Sequence, residues 1–325
     1  MGANLPLVSV VTPAYNQASF LRATIESVLA QDYAHVEYRV INDGSTDRTP
    51  EILEEYKNRV QVESHPNRGQ TPTINKGWEQ SRGDIFIWLN SDDTFLPGAV
   101  TKAVNYLERH PDVGIVFGDT LFTEADGTPK GRSTPRGEFD YRTFVLTCEN
   151  PIPQPSAFIR RAVIDDVGPL DPYYFYFMDW DFWLRAGIRH RIAYFPELLS
   201  TYRLHPESNT VARSARVAPE LERMYQKFFL SADVPGWIRS LEKPAMANMY
   251  FTSGGYYLTG GDRRSGALMA VRAFRARPAL LFSPSALHKF VYCLSGGSRV
   301  YGRARSLYYR LHATECRPNT NRKEI

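Results

Sequence analysis

Two adjacent carboxylates, Asp92 and Asp93, lie two residues beyond the end of a short apolar run and are the residues of this chain best suited to do chemistry. The run at residues 85–89 is typical of a buried strand in an α/β sheet, and ligands bind beyond the carboxyl ends of such strands. Carboxylates are costly to bury there unless they hold a cation or accept hydrogen bonds. Because Mg²⁺ and Mn²⁺ prefer carboxylate and phosphate oxygens, the run predicts a metal–diphosphate site. Capping of the next helix by either aspartate is an equally good interpretation.

Two more polar clusters follow predicted strands. Residues 12–16 (Thr-Pro-Ala-Tyr-Asn) come after an apolar strand, and residues 42–47 (Asn-Asp-Gly-Ser-Thr-Asp) come after the next one. Because the carboxyl ends of parallel strands share one edge of a sheet, the three clusters can converge. Three such clusters in order are stronger evidence for a site than any one of them alone.

The elements that must position these clusters alternate between strand and helix. This alternation predicts an α/β fold with a mainly parallel sheet and helices on both faces. The predicted strands lie at residues 7–11, 38–41, 60–62, 85–89, 114–117, 157–159 and 200–203. The predicted helices lie at residues 20–30, 73–81, 99–107, 179–186 and 267–275, with one more that is capped by Thr46 or Asp47 and runs through Tyr56. Loops and a hairpin are expected at residues 122–155. Since the pattern becomes helical after about residue 213, we expect one domain at residues 1–212 and a helical C-terminal region at residues 213–325.

The composition is that of an ordinary globular protein, with 43% hydrophobic and 23% charged residues. Three widely spaced cysteines form no metal-binding pattern and favour a reducing compartment. The first residues lack the charged and apolar parts of a secretory signal. No uncharged apolar run reaches the length of about 18 residues that a membrane span needs. We therefore expect a cytoplasmic protein.

The net charge of +4 conceals an asymmetry along the chain. Residues 262–325 carry 13 Lys/Arg and 3 Asp/Glu, a balance of +10, so the rest carries +4 − 10 = −6. A basic C-terminal region predicts a polyanionic partner, and we expect peripheral contact with the inner membrane face rather than a nucleic acid. A solvated helix surface rich in arginine explains the same charges at least as well.

Four segments together resemble the family 2 inverting glycosyltransferases of the GT-A fold. Residues 8–16 look like that family's opening strand, residues 40–47 like its base-binding turn, residues 88–93 like its DxD-type metal motif, and residues 178–185 like its acidic catalytic segment. The resemblance covers about residues 7–208. It implies transfer of a single sugar from a nucleotide-diphosphate sugar, with a UDP-sugar favoured, to a hydroxyl of a glycan or lipid-linked saccharide acceptor, in polysaccharide or glycoconjugate biosynthesis. The enzyme would be a metal-dependent hexosyl- or N-acetylhexosaminyl-transferase.

The resemblance and the chemistry of a nucleotide-sugar donor together indicate the residues that bind it. Thr12 lies in the opening motif, and Tyr15 can stack on the base. Asp43 can accept a hydrogen bond from the base N3–H, which suits uridine, although the same residues also form an ordinary turn. Arg68 lies in a loop like the family's donor-binding loop and can contact the base or the diphosphate. Asn75, on the following helix, can contact the ribose side.

The resemblance also implies a metal site for Mn²⁺ or Mg²⁺. Asp93 would ligate the metal directly, and Asp92 would hold the ribose or the metal's water shell. The metal would neutralise the leaving diphosphate as a Lewis acid. His205 can ligate the metal or contact the diphosphate, and a surface histidine in a turn is an equally good interpretation. Asn90 stands where many relatives have the first Asp, which removes a charge and lowers the expected metal affinity.

Asp179 is the predicted catalytic base, because inversion needs one carboxylate to take the acceptor hydroxyl proton. Aromatic neighbours can raise its pKa toward the working range. Asp181 is the competing candidate, but at i+2 on a helix it should point away from Asp179. Relatives usually carry Glu just before the base, where this chain has Met178. Helix capping by both acids is the alternative interpretation.

Two other functions compete with sugar transfer. A nucleotidyltransferase also uses paired carboxylates, a metal and an α/β sheet, but it would need a glycine-rich basic phosphate loop that residues 12–16 do not form. A non-catalytic module that binds sugar nucleotides fits the departures at Asn90 and Met178. The full acidic set at positions 43, 92, 93 and 179 fits activity better. Trp88 is expected in the core. The aromatic run at residues 173–177 is also expected to pack in the core, and stacking on acceptor sugar rings is the alternative interpretation.

Overall fold

A mixed sheet with helices on both faces forms the centre of the protein. The computed structural model describes residues 5–133, 138–205 and 214–282. Within these ranges, the strands are β1 Val8–Ala14, β2 Val36–Asp43, β3 Gln61–His65, β4 Ile85–Trp88, β5 Thr94–Phe95, β6 Val113–Thr123, β7 Pro129–Arg132, β8 Ala157–Arg160 and β9 Arg191–Arg203. Their order across the sheet is β3-β2-β1-β4-β8-β6-β9-β5, with β7 paired to the outer part of β6.

The pairing directions explain how the three polar clusters come together. Strands β3, β2, β1 and β4 are parallel, β6 and β9 are parallel to each other, and β8 is antiparallel to both of its neighbours. These six strands therefore point the same way, and β5, β7 and β8 run against them. At the shared edge, Ala14 pairs with Asn42 and Asp43 pairs with His65. The prediction of a mainly parallel α/β sheet is confirmed.

Helices cover both faces of this sheet. Within the described ranges they are α1 Leu21–Leu29, α2 Thr49–Tyr56, α3 Gln70–Gln80, α4 Ala99–Arg109, α5 Tyr141–Thr147, α6 Arg161–Val167, α7 Met178–Ala186, α8 Ser214–Leu230, α9 Gly236–Arg239, α10 Glu242–Thr259 and α11 Arg263–Ala276. Helix α3 packs closely on β1, because a Cβ at Gly77 would lie only 2.4 Å from Cγ1 of Val11. This close approach holds the loop before α3 against the carboxyl ends of β1 and β2.

Alternate residues of the central strands face two hydrophobic cores. Val10 and Ile87 face a core formed with α1, α2 and α4. Val11 and Trp88 face a second core formed with α3 and α7, to which α8 and α10 also contribute. Trp88 is fully buried and its ring stacks on Trp183 of α7, with centroids 5.7 Å apart. The expected core position of Trp88 is thus confirmed, and the stack fixes α7 relative to the strand that leads to Asp92.

The C-terminal helices share a core with the sheet domain rather than standing apart from it. Leu221, Met224 and Tyr225 of α8 are fully buried in the same hydrophobic cluster as α7. The division at residue 212 stays a prediction. No helix among the described residues is both long and apolar enough to cross a membrane. Much of the basic region, including Arg299, Arg303 and Arg305, lies outside the described residues.

Several elements differ from the sequence predictions. Helices α5 and α6 were not predicted, although the expected hairpin is present as β6 and β7. Strand β9 begins at Arg191, well before the predicted strand at residues 200–203. Helix α3 begins at Gln70, three residues before its predicted start. The earlier start matters for the site, because it brings Gln70 and Thr71 into the first turn of a helix.

Candidate active site

Asp43, the last residue of β2, holds the loop that precedes α3. Its carboxylate accepts hydrogen bonds from the backbone N–H groups of Arg68 (2.7 Å) and Gly69 (2.9 Å), and it is 3% exposed. The His65 Nδ1 atom lies 3.4 Å from the same carboxylate. Gly44 follows with a φ of +73°, and a Cβ there would lie 2.5 Å from the backbone nitrogen of Asn67. Only glycine therefore allows the turn and the loop to approach this closely.

The ends of β1 and β2 are tied together by side-chain hydrogen bonds. Asn16 adopts a left-handed φ of 53°; its N–H donates to Ser45 Oγ, and its Oδ1 accepts from Thr46 N–H at 2.8 Å. Tyr15, just before Asn16, is 47% exposed, so its ring is open to a ligand. Thr12 is fully buried and its hydroxyl lies 3.1 Å from the Tyr38 hydroxyl. Donor contacts by Tyr15 and Thr12 stay predictions.

Asn90, where an Asp was expected, belongs to a network of side-chain amides that the sequence did not reveal. Its Oδ1 accepts from Gln70 Nε2 at 2.7 Å, and its Nδ2 donates to Gln154 Oε1 at 3.2 Å. Gln154 Nε2 in turn donates to the Trp88 carbonyl at 2.6 Å. An Asn can both accept and donate, which an ionised Asp cannot. The Asn90 side chain therefore links the end of β4 to the start of α3 and to the segment before β8.

Asp92 and Asp93 have different surroundings. Asp92 is partly exposed, and its Oδ2 lies 3.0 Å from Nε2 of His205, so these two predicted metal residues lie together. Asp93 is 1% exposed, and its Oδ1 accepts from the Arg203 N–H at 3.0 Å. Burial, together with the nearby Asp92 charge, raises the pKa of the Asp93 carboxyl well above its ordinary value. Neither Asp92 nor Asp93 caps the next helix, because α4 begins at Ala99 and its N-cap residue is Gly98.

The donor set at this strand end suits a hard divalent cation. Asp92 supplies carboxylate oxygens, and His205 supplies an imidazole that also packs on the Phe20 ring, with centroids 4.8 Å apart. No group of three His, Cys, Asp or Glu side chains converges on one point within the described ranges. Cations of this kind are commonly held by one or two protein groups together with substrate phosphates. The residues therefore fit a metal that the donor diphosphate helps to hold, and direct ligation by Asp93 stays a prediction.

Asp179 lies in the first turn of α7, where free helix N–H groups favour a carboxylate. Burial raises the pKa of its carboxyl to about 6, while hydrogen bonds from nearby backbone N–H groups and from Asn150 oppose the rise. Asn150 Nδ2 lies 3.3 Å from Asp179 Oδ2, and its own Oδ1 accepts from Ile152 N–H. The amide thus holds one carboxylate oxygen. A group with this pKa is ionised at neutral pH and can still take a proton.

The neighbours of Asp179 have structural partners. Asp181 is 4% exposed and pairs with Arg185, whose Nε lies 2.8 Å from its Oδ2. Met178 Sδ lies 2.9 Å from the Thr71 hydroxyl, at the start of α3.

The Asn75 amide donates to and accepts from the backbone of Leu170, at 2.8 and 3.0 Å. These bonds give Asn75 a role in holding the segment before α7, and its contact with ribose stays a prediction.

A chain of contacts links the predicted site residues along one edge of the sheet. Asp43 binds the loop that leads into α3, and the first residue of α3, Gln70, binds Asn90. The next residue, Thr71, contacts Met178, which directly precedes Asp179. The Arg68 backbone takes part through its N–H, while its side chain is exposed. The arrangement gives one edge with an exposed aromatic ring, an aspartate–histidine pair and a half-buried aspartate of raised pKa.

Sequence comparison identifies the class of protein that carries this edge. The chain matches the model of the family described as Glycosyl transferase family 2 over residues 9–168. An uncharacterized glycosyltransferase of Haemophilus influenzae is 31% identical over 216 residues, which make up 62% of this chain and 67% of that relative. Another from Rickettsia typhi is 29% identical over 231 residues, 69% of this chain and 71% of that relative. The chain belongs to glycosyl transferase family 2.

Solved structures share the fold at low sequence identity. Residues 1–349 of Staphylococcus aureus TarS, in complex with UDP-GlcNAc, match with a TM-score of 0.62 at 15% identity, over 92% of both chains. The mannosyltransferase PcManGT of Pyrobaculum calidifontis, in complex with GDP-Man and Mn²⁺, matches with a TM-score of 0.60 at 18% identity, over 93% of this chain and 87% of that one. Both have the GT-A fold, and the predicted GT-A fold with a helical C-terminal region is confirmed.

Proposed function

We propose that this glycosyltransferase is an inverting enzyme that moves one hexosyl or N-acetylhexosaminyl group from a UDP-sugar to a hydroxyl of a glycan or lipid-linked saccharide. The observation that carries the proposal is the half-buried Asp179 carboxylate, whose pKa is raised to about 6, on the same sheet edge as Asp43 and Asp92. Family membership argues against a nucleotidyltransferase. The presence of aspartates at positions 43, 92, 93 and 179 argues against a non-catalytic module that only binds sugar nucleotides.

Asp179 acts as the general base in this proposal. Its carboxylate takes the proton of the acceptor hydroxyl while the hydroxyl oxygen forms a bond to C1 of the donor sugar. The bond between C1 and the diphosphate oxygen breaks on the opposite face, and UDP leaves with that electron pair. Asn150 holds Oδ2 of the base. Each carboxylate oxygen has two lone pairs, so the acceptor hydroxyl can donate to the carboxylate beside the bonds from Asn150 and the backbone. The configuration at C1 inverts because the acceptor oxygen attacks one face of the sugar and the diphosphate departs from the other.

The nucleotide lies on the other side of the site in this proposal. The exposed Tyr15 ring stacks on uracil, and Asp43 accepts from the uracil N3–H. Each carboxylate oxygen has two lone pairs, so Asp43 can accept this bond beside those from Arg68 and Gly69. Arg68 contributes its exposed guanidinium to the base or diphosphate. The turn function of Asp43 and its binding function are therefore compatible.

Asp92 and His205 would hold a divalent cation, with Asp93 close behind them. When bound, the cation supplies positive charge that stabilises the leaving diphosphate. Arg203 fixes this end of the site, since its backbone N–H binds Asp93 and its Nε donates to the Asp92 carbonyl at 3.0 Å. The raised pKa of Asp93 is consistent with a site built to accept positive charge.

UDP release measured against pH tests the proposed function. With Mn²⁺ and a panel of UDP-sugars, we expect turnover that falls tenfold per pH unit below about 6, because protonation of Asp179 removes the base. Above pH 6 the carboxylate is ionised and the rate should level off. EDTA should abolish release and Mn²⁺ should restore it. A rate that is flat from pH 5 to pH 8, or no release with any donor, would contradict the proposal.

We further propose that the basic C-terminal region contacts an anionic membrane surface where lipid-linked acceptors lie. Leu268 and Val271 on α11 are 49% and 46% exposed, and Arg264 and Arg275 lie on the same helix stripe at i−4 and i+4 from them. Exposed apolar side chains flanked by arginines suit a lipid interface. The stripe lies within residues 262–282, the part of this basic region that the structure describes.

Vesicle binding by the full chain tests this contact. Each arginine near an anionic surface contributes roughly 1 kcal/mol, so Arg264→Glu with Arg275→Glu should weaken binding to phosphatidylserine vesicles by at least about tenfold. The matched control reverses two exposed arginines of the sheet domain, Arg82→Glu and Arg142→Glu, and should change binding little. Equal binding by the two double variants would exclude the stripe as the contact.

A further inference from the structure

The segment that leads into α7 is a short aromatic stretch, residues 171–177, which we call the aromatic segment. Tyr174 and Phe177 are buried, whereas Tyr173 and Phe175 are half exposed. The predicted core position therefore holds for only part of the run. Helix α7 has no side-chain N-cap of its own, and Asp179 is its second residue. The position of Asp179 thus depends on how this segment is held.

One face of α8 holds the aromatic segment at three points. Glu220 Oε2 accepts from the backbone N–H groups of Phe175 (3.1 Å) and Tyr176 (2.8 Å). The Arg223 guanidinium lies 3.8 Å from the centre of the Tyr173 ring. Lys227 Nζ lies 2.6 Å from Asp171 Oδ2. Positions 220, 223 and 227 follow the i, i+3, i+7 spacing of a single helix face, so one rigid helix makes all three contacts.

The rest of α8 is fixed in the core. Tyr225 is fully buried, its ring lies edge-on to Trp180 with centroids 6.5 Å apart, and its hydroxyl donates to the Val145 carbonyl. Trp180 is the residue after Asp179. Helix α8 therefore contacts the chain on both sides of Asp179, through the aromatic segment before it and through Trp180 after it.

We propose that Glu220 is a positioning residue for Asp179, and that α8 belongs to the catalytic architecture instead of forming a separate C-terminal appendage. This inference rests on the proposed role of Asp179 as the base. Glu220 reaches no reacting atom in the contacts described. It acts by fixing two backbone N–H groups immediately before α7, and so the direction in which α7 presents Asp179 to the acceptor.

The chemistry of these two hydrogen bonds explains why a carboxylate is suited to this position. Glu220 is partly buried, and burial raises the pKa of its carboxyl while the backbone N–H groups of residues 175–177 lower it. Bonds from N–H groups to a charged acceptor are among the stronger ones. Without them, two donors lose their partner and the segment can move. A displacement of about 1 Å at a catalytic group can cost about a hundredfold in rate.

Kinetics of the full chain test the inference. We expect Glu220→Ala to lower kcat by at least about tenfold, with little change in the KM for the UDP-sugar, because the nucleotide side is untouched. The acidic limb of the pH–rate profile should also move to lower pH, because looser packing lets water reach Asp179 and lowers the pKa of its carboxyl. Glu220→Gln keeps a side-chain oxygen acceptor and should recover most of the lost kcat.

Two controls separate this inference from the proposed function. Glu242→Ala removes an exposed carboxylate at the start of α10, in the same helical region, and should leave kcat unchanged. Wild-type kcat and an unshifted pH limb in Glu220→Ala, alongside an inactive Asp179→Asn, would overturn the positioning role alone. Full turnover by Asp179→Asn would overturn the proposed function together with this inference. Thermal unfolding of each variant shows whether lost rate reflects lost folding.

Discussion

Replacement of Asp179 by Asn should lower kcat by about 10²–10⁴-fold while leaving UDP affinity unchanged. The substitution keeps the shape of the side chain but removes its ability to take a proton. The nucleotide residues lie at the ends of β1 and β2, so UDP binding should persist. Turnover of a UDP-sugar and UDP binding by calorimetry, measured on the same preparations, give both quantities.

Asp181→Asn is the matched control for this prediction. Asp181 lies two residues after Asp179 on α7 and is buried against Arg185, so its loss should weaken folding more than chemistry. Removing one partner of a partly buried ion pair costs about 1–3 kcal/mol, which thermal unfolding would detect. Asp179→Asn should not lower the unfolding temperature in this way, because it removes a charge whose burial is unfavourable. A reversed pattern, with Asp181→Asn inactive and Asp179→Asn active, would make Asp181 the base.

Replacement of Asp43 by Ala should weaken UDP binding by about 10–100-fold, the equivalent of about 1.5–3 kcal/mol for hydrogen bonds to a charged group. Two effects add in this variant. The acceptor for the uracil N3–H is lost, and the N–H groups of Arg68 and Gly69 lose the carboxylate that holds their loop. Asp43→Asn should recover little, because an Nδ2 donor would face one of those N–H donors.

Asp47 provides the comparison for Asp43 within the same turn. Its carboxylate also accepts two backbone N–H groups, those of Ala18 and Thr49, but it belongs to the start of α2 rather than to the nucleotide loop. Asp47→Ala should therefore lower stability modestly and change UDP affinity by less than about threefold. Wild-type UDP affinity in Asp43→Ala would remove Asp43 from the nucleotide site.

Local sequence signals predicted the elements that carry the site. The apolar runs at residues 38–41 and 85–89 stop abruptly at polar residues, and the observed ends of the two strands, Asp43 and Trp88, lie within two residues of the predicted ends. Helix α7 was predicted within one residue of its observed start at Met178. These features follow from hydrophobic periodicity, which is encoded over a few residues. Their convergence followed from the parallel direction of the strands.

Features that depend on distant residues could not be predicted from the pattern. The Gln70–Asn90–Gln154 network joins segments 20 and 64 residues apart, and single glutamines carry no signal of their partners. The same holds for Glu220 and its bonds to residues 45 and 44 positions earlier. Helix α6 has only seven residues, and Pro196 interrupts the pattern of β9, so periodicity was too short or too broken to indicate either.

The anomeric configuration of the first sugar product tests the central claim most directly. Without an acceptor, water can take the place of the acceptor hydroxyl, and proton NMR can identify the sugar anomer released from a UDP-α-sugar before it equilibrates. If Asp179 activates an oxygen that attacks C1 opposite the departing diphosphate, the β anomer must appear first, and its formation must be lost in Asp179→Asn. First appearance of the α anomer would contradict the inverting mechanism.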